Sequence, residues 1–376
     1  MKVLITGGGT GGHLYSGIAI AKVFKNMNST IDIQFVGTNT GLENKVVPQE
    51  GYLLKTIRIR PLAGHKFLKV LASVSRFPLA VLDSLKILKD VSPDIVIGLG
   101  GYSSGPVVIM AALKGIPTVI VEQNVIPGVT NRVLSRFVDA IAINFKSSEI
   151  FFPKKKVYLT GNPIREGITS GVKEEALRLF GLEEGLFTIL VLGGSAGAHR
   201  INMSVAEALG YLNDLKDRIQ IVHQTGDKDF KGISEFYRSK GFKGIVLPFI
   251  DRMSDAYAVA DLIVSRAGAG TLSEITACGK ASILVPYPYA AKNHQEVNAR
   301  VLLDVEAAWI ILDRELNGER LASGIRDLME DPERLWQMER ASKRLGNKDG
   351  AKKVVDITLD LIRGTDSGVN LVCSKR

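Results

Sequence analysis

Leu4-Ile5-Thr6-Gly7-Gly8-Gly9-Thr10-Gly11-Gly12-His13 is an apolar run that breaks into glycines before an amphipathic stretch begins. Val191-Leu192-Gly193-Gly194-Ser195-Ala196-Gly197-Ala198-His199 repeats the pattern in the second half of the chain. A strand, a glycine turn and a helix in direct succession make the first βα unit of a doubly wound α/β domain. Two well-separated copies predict two such domains. The surrounding rhythm agrees, with short apolar runs at 3–6, 32–36, 94–98, 118–122, 140–144 and 157–160. A second set follows at 188–192, 220–224, 244–248, 262–265, 282–286 and 309–312. Many are β-branched and apolar on both faces, as strands of a buried parallel sheet are. Helical stretches between them imply right-handed crossovers.

A length of 376 residues fits two domains, and 45% apolar with 23% charged residues marks a globular chain. Two cysteines, Cys278 and Cys373, exclude a disulfide framework and a Cys-based zinc site, and they fit a reducing cytosol. No apolar run reaches the ~18 residues of a spanning helix. The N-terminus reads as a strand entering glycines, not as a signal peptide. The 48 Lys+Arg against 39 Asp+Glu give a net charge of +9, which suits nucleic acid, an anionic membrane surface or an anionic ligand. No RNP, helix-turn-helix or zinc signature accompanies that charge, so no nucleic-acid partner is expected.

The connection between the domains is expected between Phe152-Pro153-Lys154-Lys155-Lys156 and Gly161-Asn162-Pro163, where a turn-forming Asn-Pro stands. This predicts a first domain over 1–163, a second over 164–345 and a flexible tail over 364–376. The segments 333–345 and 351–363 read as amphipathic helices. Two similar α/β domains about a hinge place a ligand in the cleft that they face, at the carboxyl ends of the strands.

Gly7, Gly9 and Gly12 satisfy the G-x-G-x-x-G spacing, which needs only a tight turn and a helix N-terminus that favours an anion. A nicotinamide dinucleotide also needs an acidic residue at the end of the second strand, and that strand ends in Gly37-Thr38. A dehydrogenase is thereby disfavoured, while a turn that only packs helix on strand stays open. His13 falls in the first turn of its helix, where the dipole disfavours imidazolium and a neutral ring can accept a proton. His199 occupies the matching position in the second half, so such a histidine can equally be structural. Thr271-x-x-Glu274 fits a capping box, although a carboxylate there also suits a ribose diol. Asp227-Lys228-Asp229 has the spacing of a metal-holding D-x-D, but a helix cap is the expected role and no metal site is expected.

Further motifs stand in order along the chain. They are Gly100-Gly101-Tyr102-Ser103-Ser104-Gly105-Pro106, Glu122-Gln123-Asn124, Thr160-Gly161-Asn162-Pro163-Ile164-Arg165, Pro248-Phe249-Ile250, Arg266-Ala267-Gly268-Ala269 and His294-Gln295-x-x-Asn298. Together with the two glycine turns they closely resemble the MurG family, the family 28 glycosyltransferases of bacterial peptidoglycan synthesis. The resemblance runs from about residue 1 to 363. It implies a GT-B fold, two Rossmann-like domains facing a central cleft, with the helix over 346–363 packed back on the first domain. It also implies inverting transfer of N-acetylglucosamine from UDP-GlcNAc to the 4-hydroxyl of N-acetylmuramoyl-(pentapeptide)-pyrophosphoryl-undecaprenol, with no obligatory cofactor or metal. The alternatives are a UDP-sugar transferase with another lipid acceptor, such as diacylglycerol, and a UDP-GlcNAc 2-epimerase.

By matched motif, the resemblance places Thr10, Gly11 and Gly12 near the transferred sugar and the acceptor diphosphate, and Asn124 on the GlcNAc. It gives Arg165 and Ser195 to the donor phosphates and the backbone of Ile250 to uracil. Ala269, Gly270, Thr271, Leu272 and Ser273 would line the nucleotide site, with Glu274 on the ribose and Gln295 on the sugar hydroxyls. His13 is the candidate base. Two departures concern local contacts: Val121 replaces a histidine before Glu122-Gln123-Asn124, and Lys292 or Asn293 stands where relatives often carry Asp. The resemblance adds a peripheral place on the cytoplasmic face of the membrane, with other cell-wall enzymes as partners. Lys66, Phe67, Leu68, Lys69, Leu71, Arg76 and Phe77 suit it, because apolar side chains flanked by cations meet an anionic bilayer.

Overall fold

The computed structural model describes residues 1–8, 11–39, 41–59, 77–194 and 196–366. The chain divides into two compact units, Met1–Glu166 with Lys348–Arg376, and Gly167–Asn347.

The first unit carries β1 (Lys2–Thr6), α1 (Gly11–Met27), β2 (Asp32–Gly37), α2 (Glu43–Gln49), β3 (Leu53–Thr56), α3 (Phe77–Val91), β4 (Ile95–Gly98) and α4 (Ser104–Leu113). It continues with β5 (Thr118–Glu122), α5 (Val129–Leu134), β6 (Ala140–Ile143) and β7 (Val157–Leu159). All seven strands are parallel, in the order β3-β2-β1-β4-β5-β6-β7. Successive residues of the central strands β1, β4, β5 and β6 enter opposite cores. Val3, Ile5, Ile95, Ile97, Val119 and Val121 pack with α1, while Leu4, Val96, Ile120 and Ile141 pack with residues of α3 and α4. Both faces are therefore apolar, which is why the strands read as continuous hydrophobic runs. β3 is the strand that the run pattern misses. Among the described residues it is an edge strand paired with β2 alone, and Leu53 and Thr56 face solvent.

The second unit carries α6 (Lys173–Phe180), β8 (Phe187–Leu192), α7 (His199–Tyr211), β9 (Ile219–Gln224), α8 (Phe230–Lys240), β10 (Lys243–Leu247), α9 (Met253–Val259) and β11 (Leu262–Ser265). It continues with α10 (Ala269–Cys278), β12 (Ala281–Leu284), α11 (His294–Leu303), β13 (Ala308–Ile310), α12 (Gly318–Glu330) and α13 (Pro332–Leu345). Its parallel sheet runs β10-β9-β8-β11-β12-β13. In each unit the first and fourth strands lie side by side, so the strand order reverses between β1 and β4 and again between β8 and β11. That reversal point is where an open α/β sheet takes its ligand. Local chemistry sets the helix starts: the side chains of Asn317 and Asp331 accept the N–H groups of Arg320 and Arg334.

α14 (Gly350–Asp366) returns to the first unit, where Ala351, Val354 and Val355 complete the core against α1. Gly350 permits the approach, since a Cβ there would lie 2.4 Å from the Asn162 carbonyl oxygen. α14 is helical through Asp366, so Gly364, Thr365 and Asp366 belong to it and not to a loose tail. The first unit also extends past Pro163 to Glu166. Asn26 donates to the Glu166 carboxylate at 2.7 Å and the Arg165 guanidinium stacks 4.1 Å over Tyr15, both ties to α1.

Candidate active site

In the first unit the turns after β1 and β4 flank the reversal point. Gly11, Gly12 and His13 open α1. The His13 ring lies over Gly100 and Gly101 in the turn after β4, with Nε2 3.4 Å from where a Gly100 Cβ would sit. Both glycines have positive φ, 91° and 80°, so the two turns meet closely without side chains between them. Three consecutive residues at the end of β5 then divide the work. Glu122, buried at the strand end, accepts from the Asn124 N–H at 2.9 Å, the Gly128 N–H at 3.1 Å and Asn131 Nδ2 at 2.9 Å. A buried carboxylate held by several donors fixes the loop around it. Gln123 Nε2 reaches the Gly12 carbonyl at 3.3 Å and Ser16 Oγ at 2.9 Å, clasping the start of α1. Asn124 is thus presented by a loop whose geometry its neighbours determine. Thr10 lies outside the described residues, as do Ser195, Lys66, Phe67, Leu68, Lys69, Leu71 and Arg76; Phe77 is the first residue of α3.

A carboxylate does stand near the end of β2, although sequence spacing did not reveal it. Glu43 is 1% exposed, and its Oε1 accepts from the N–H and hydroxyl of Thr38 at 3.0 and 2.9 Å. It is turned inward under the glycine turn and is not offered to a ribose, which agrees with the case against a dehydrogenase.

In the second unit, α7 and α10 begin at the turns on either side of the reversal point between β8 and β11. Their N-termini aim unsatisfied N–H groups and positive dipole ends at the carboxyl edge of the sheet, an arrangement suited to a diphosphate. The turn after β8 is seated on the exit of β9. Gly197 has φ +76°, and a Cβ there would lie 1.9 Å from the Thr225 carbonyl oxygen, so only glycine fits. Ala269, Gly270, Thr271, Leu272, Ser273 and Glu274 all fall in α10, whose N-cap is Gly268. Thr271 is therefore inside the helix, and no capping box joins it to Glu274. Instead Glu274 Oε2 accepts from the Tyr257 hydroxyl at 3.1 Å. Gln295 sits in the first turn of α11, where its Oε1 accepts the Tyr287 N–H at 2.9 Å. Ile250 follows β10 and is buried, with its N–H donated to Gln224 Oε1 at 3.1 Å.

Two groups missed in the sequence hold this edge together. Arg266 Nη1 donates to the Val285 carbonyl at 3.1 Å and pairs with Asp313, which also binds Arg200. Beneath α7 a fully satisfied chain runs Tyr237–His223–Asn202–Asp229–His199. Asn202 Nδ2 donates to the Thr225 carbonyl at 2.9 Å and to Asp229 at 2.8 Å, so its amide oxygen is the atom facing His223. An amide oxygen only accepts, so His223 carries its proton on Nε2, and Nδ1 accepts from the Tyr237 hydroxyl at 2.9 Å. Burial pushes His223 down to about 3, keeping the ring neutral. Asp229 stands at the N-cap of α8, yet its side chain does not cap the helix; it binds Asn202 and His199. Among the described residues no three His, Cys, Asp or Glu side chains gather as a metal site.

The sequence matches the N-terminal domain of glycosyltransferase family 28 over residues 3–143 and the C-terminal domain of that family over residues 188–354. A protein of Thermodesulfovibrio yellowstonii is 49% identical over 363 residues, which are 96% of this chain and 99% of that one.

The chain belongs to glycosyltransferase family 28.

That relative is named UDP-N-acetylglucosamine--N-acetylmuramyl-(pentapeptide) pyrophosphoryl-undecaprenol N-acetylglucosamine transferase. Among solved structures, MurG of Acinetobacter baumannii has a TM-score of 0.76 at 30% identity, covering 96% of this chain and 99% of that one. The UDP-GlcNAc 2-epimerase of Neisseria meningitidis has a TM-score of 0.66 at 14% identity, over 96% of this chain and all of that one, a likeness of fold alone. Both domains of the family 28 match contain one of the glycine turns described above, Gly7–Gly12 and Gly193–Gly197.

Proposed function

We propose that this family 28 enzyme is a hexosyltransferase that moves N-acetylglucosamine from UDP-GlcNAc to the 4-hydroxyl of N-acetylmuramoyl-(pentapeptide)-pyrophosphoryl-undecaprenol, lipid I. The product is lipid II of peptidoglycan synthesis. The observation that carries this reading is likeness at 49% identity along 96% of the chain to a transferase named for that reaction.

In the second unit, Glu274 takes the ribose, the Ile250 backbone takes uracil, and the turn from Gly193 to Ala198 takes the diphosphate. In the first unit, the start of α1 and Asn124 take the acceptor and the sugar. The acceptor O4 attacks C1 of GlcNAc as the bond from C1 to the UDP oxygen breaks, which inverts the anomeric centre. His13 receives the proton leaving O4, and UDP departs with the bonding pair. Charge growing on that leaving group is stabilised by the α7 N-terminus, whose dipole is fixed before the reaction begins. No cofactor or metal is needed in this scheme.

A polyprenyl acceptor is met at a bilayer, and we place the enzyme peripherally on its cytoplasmic face. No described helix is long and apolar enough to cross a membrane. What supports surface binding is α3, where Leu82 is 59% exposed on the helix that also carries Lys86 and Lys89, and Leu113, 66% exposed at the end of α4.

The deciding experiment supplies radiolabelled UDP-GlcNAc and a short-chain lipid I analogue, with and without a chelator. Label should pass to the analogue in both conditions. Turnover of another lipid acceptor in its place, or UDP release with no acceptor present, would refute the assignment; the latter marks an epimerase. Replacing Phe67, Leu68, Phe77 and Leu82 by Ser should weaken retention on anionic vesicles while UDP affinity is kept. Unchanged retention would remove the membrane proposal.

A further inference from the structure

Gln224 is the last residue of β9, flanked in register by Leu192 of β8 and Leu247 of β10. Its side chain is buried, 4% exposed, and both ends of the amide are used. Nε2 donates to the Gly194 carbonyl at 2.8 Å, and Oε1 accepts the Ile250 N–H at 3.1 Å. One partner can only accept and the other can only donate, so the orientation of the amide is determined. Gly194 lies in the turn between β8 and α7, and Ile250 lies beyond the end of β10. Backbone pairing of β9 with β10 continues through the Thr225 and Gly226 N–H groups to Leu247 and Pro248 and goes no further toward Ile250. The Ile250 peptide is therefore oriented by a side chain where the sheet ladder has stopped.

We infer that Gln224 is a positioning residue for the donor: it locks the Ile250 backbone that reads the base to the Gly194 turn that faces the diphosphate. This extends the reading of the second unit as the UDP-GlcNAc site and depends on it. A peptide group offers one donor and one acceptor. Uracil and cytosine exchange donor for acceptor at ring positions 3 and 4, so a peptide separates them only when its orientation is fixed. A buried tie at fixed geometry provides that orientation before the ligand arrives. Because the same amide holds the phosphate-side turn, the two halves of the nucleotide are gripped on one template.

Two near-isosteric variants divide the amide. Gln224→Met removes both bonds. Gln224→Glu keeps an acceptor for Ile250 but sets an oxygen against the Gly194 carbonyl. Titration calorimetry on the full chain with UDP, CDP and inorganic pyrophosphate, beside transfer kinetics and thermal melts, reads the outcome. Gln224→Met should bind UDP about tenfold more weakly and lose most of its preference for UDP over CDP, with KM for the lipid acceptor within about twofold of wild type. Gln224→Glu should lose affinity for UDP and pyrophosphate alike and retain the base preference. The inference is overturned if Gln224→Met binds UDP within about twofold of wild type. It is equally overturned if UDP, CDP and pyrophosphate weaken in step as the melting temperature falls, which marks a packing role only. Wild-type protein that does not bind UDP would overturn the donor reading itself, and the inference with it.

Discussion

Lowering the pH from 7 to 5 should destabilise the second unit through one buried side chain. His223 has no accessible surface, and burial pushes its pKa from 6.5 down to about 3. As pH falls below 6.5, the unfolded chain takes a proton on this imidazole and the folded chain does not. Stability is therefore lost with falling pH, starting near 6.5 and ending near 3. Between pH 7 and pH 5 the loss is about 2 kcal/mol for this group. Both tryptophans, Trp309 and Trp336, lie in the second unit, so urea unfolding followed by their fluorescence reports that unit. The companion protein is His223→Gln, which keeps an N–H for Asn202 and cannot titrate. Its stability should fall by about 2 kcal/mol less than wild type over the same interval. Glu339, whose pKa burial raises, titrates in the opposite sense and is common to both proteins. Equal losses in the two proteins would refute the assignment of a buried neutral imidazole.

Gly197→Ala forces a Cβ against the Thr225 carbonyl at positive φ, so the second unit should lose at least about 2 kcal/mol and UDP affinity should drop with it; an unchanged melt and titration would contradict the seating of that turn. Tyr257→Phe removes one hydrogen bond to Glu274 and should weaken UDP by roughly three- to tenfold in calorimetry, with no change in acceptor KM. His13→Ala should cut kcat by roughly 10²- to 10⁴-fold while UDP affinity stays put. A parallel loss of UDP affinity would make His13 a binding group and not the base.

The strands were legible because a parallel sheet covered on both sides demands apolar residues at every position. Val3 and Leu4 enter opposite cores, yet both had to be hydrophobic. β3 escaped the pattern because an edge strand meets that demand on neither side in full. The turn glycines were legible because close backbone approach leaves no substitute, as at Gly197. What stayed hidden was partnership across the fold. Nothing local to Asp229 says that it binds Asn202 and His199 in place of capping α8. Nothing local to Thr271 says that the helix begins earlier, at Ala269. Gln224 read as the end of a strand, because a side chain that joins two other turns leaves no trace in its own neighbours.

The return of α14 to the first unit sets an order of events during synthesis. Ala351, Val354 and Val355 belong to the core that covers α1, so that core stays open while Gly167–Asn347 is being made. At roughly 5–20 residues per second, this is a wait of roughly ten to forty seconds. The second unit is one uninterrupted segment and can close as soon as it leaves the ribosome. The first half to be translated is thus the last to be finished, because the core it builds around α1 waits for Ala351, Val354 and Val355. A ribosome stalled before Ala351 would release a finished second unit joined to an unclosed first one.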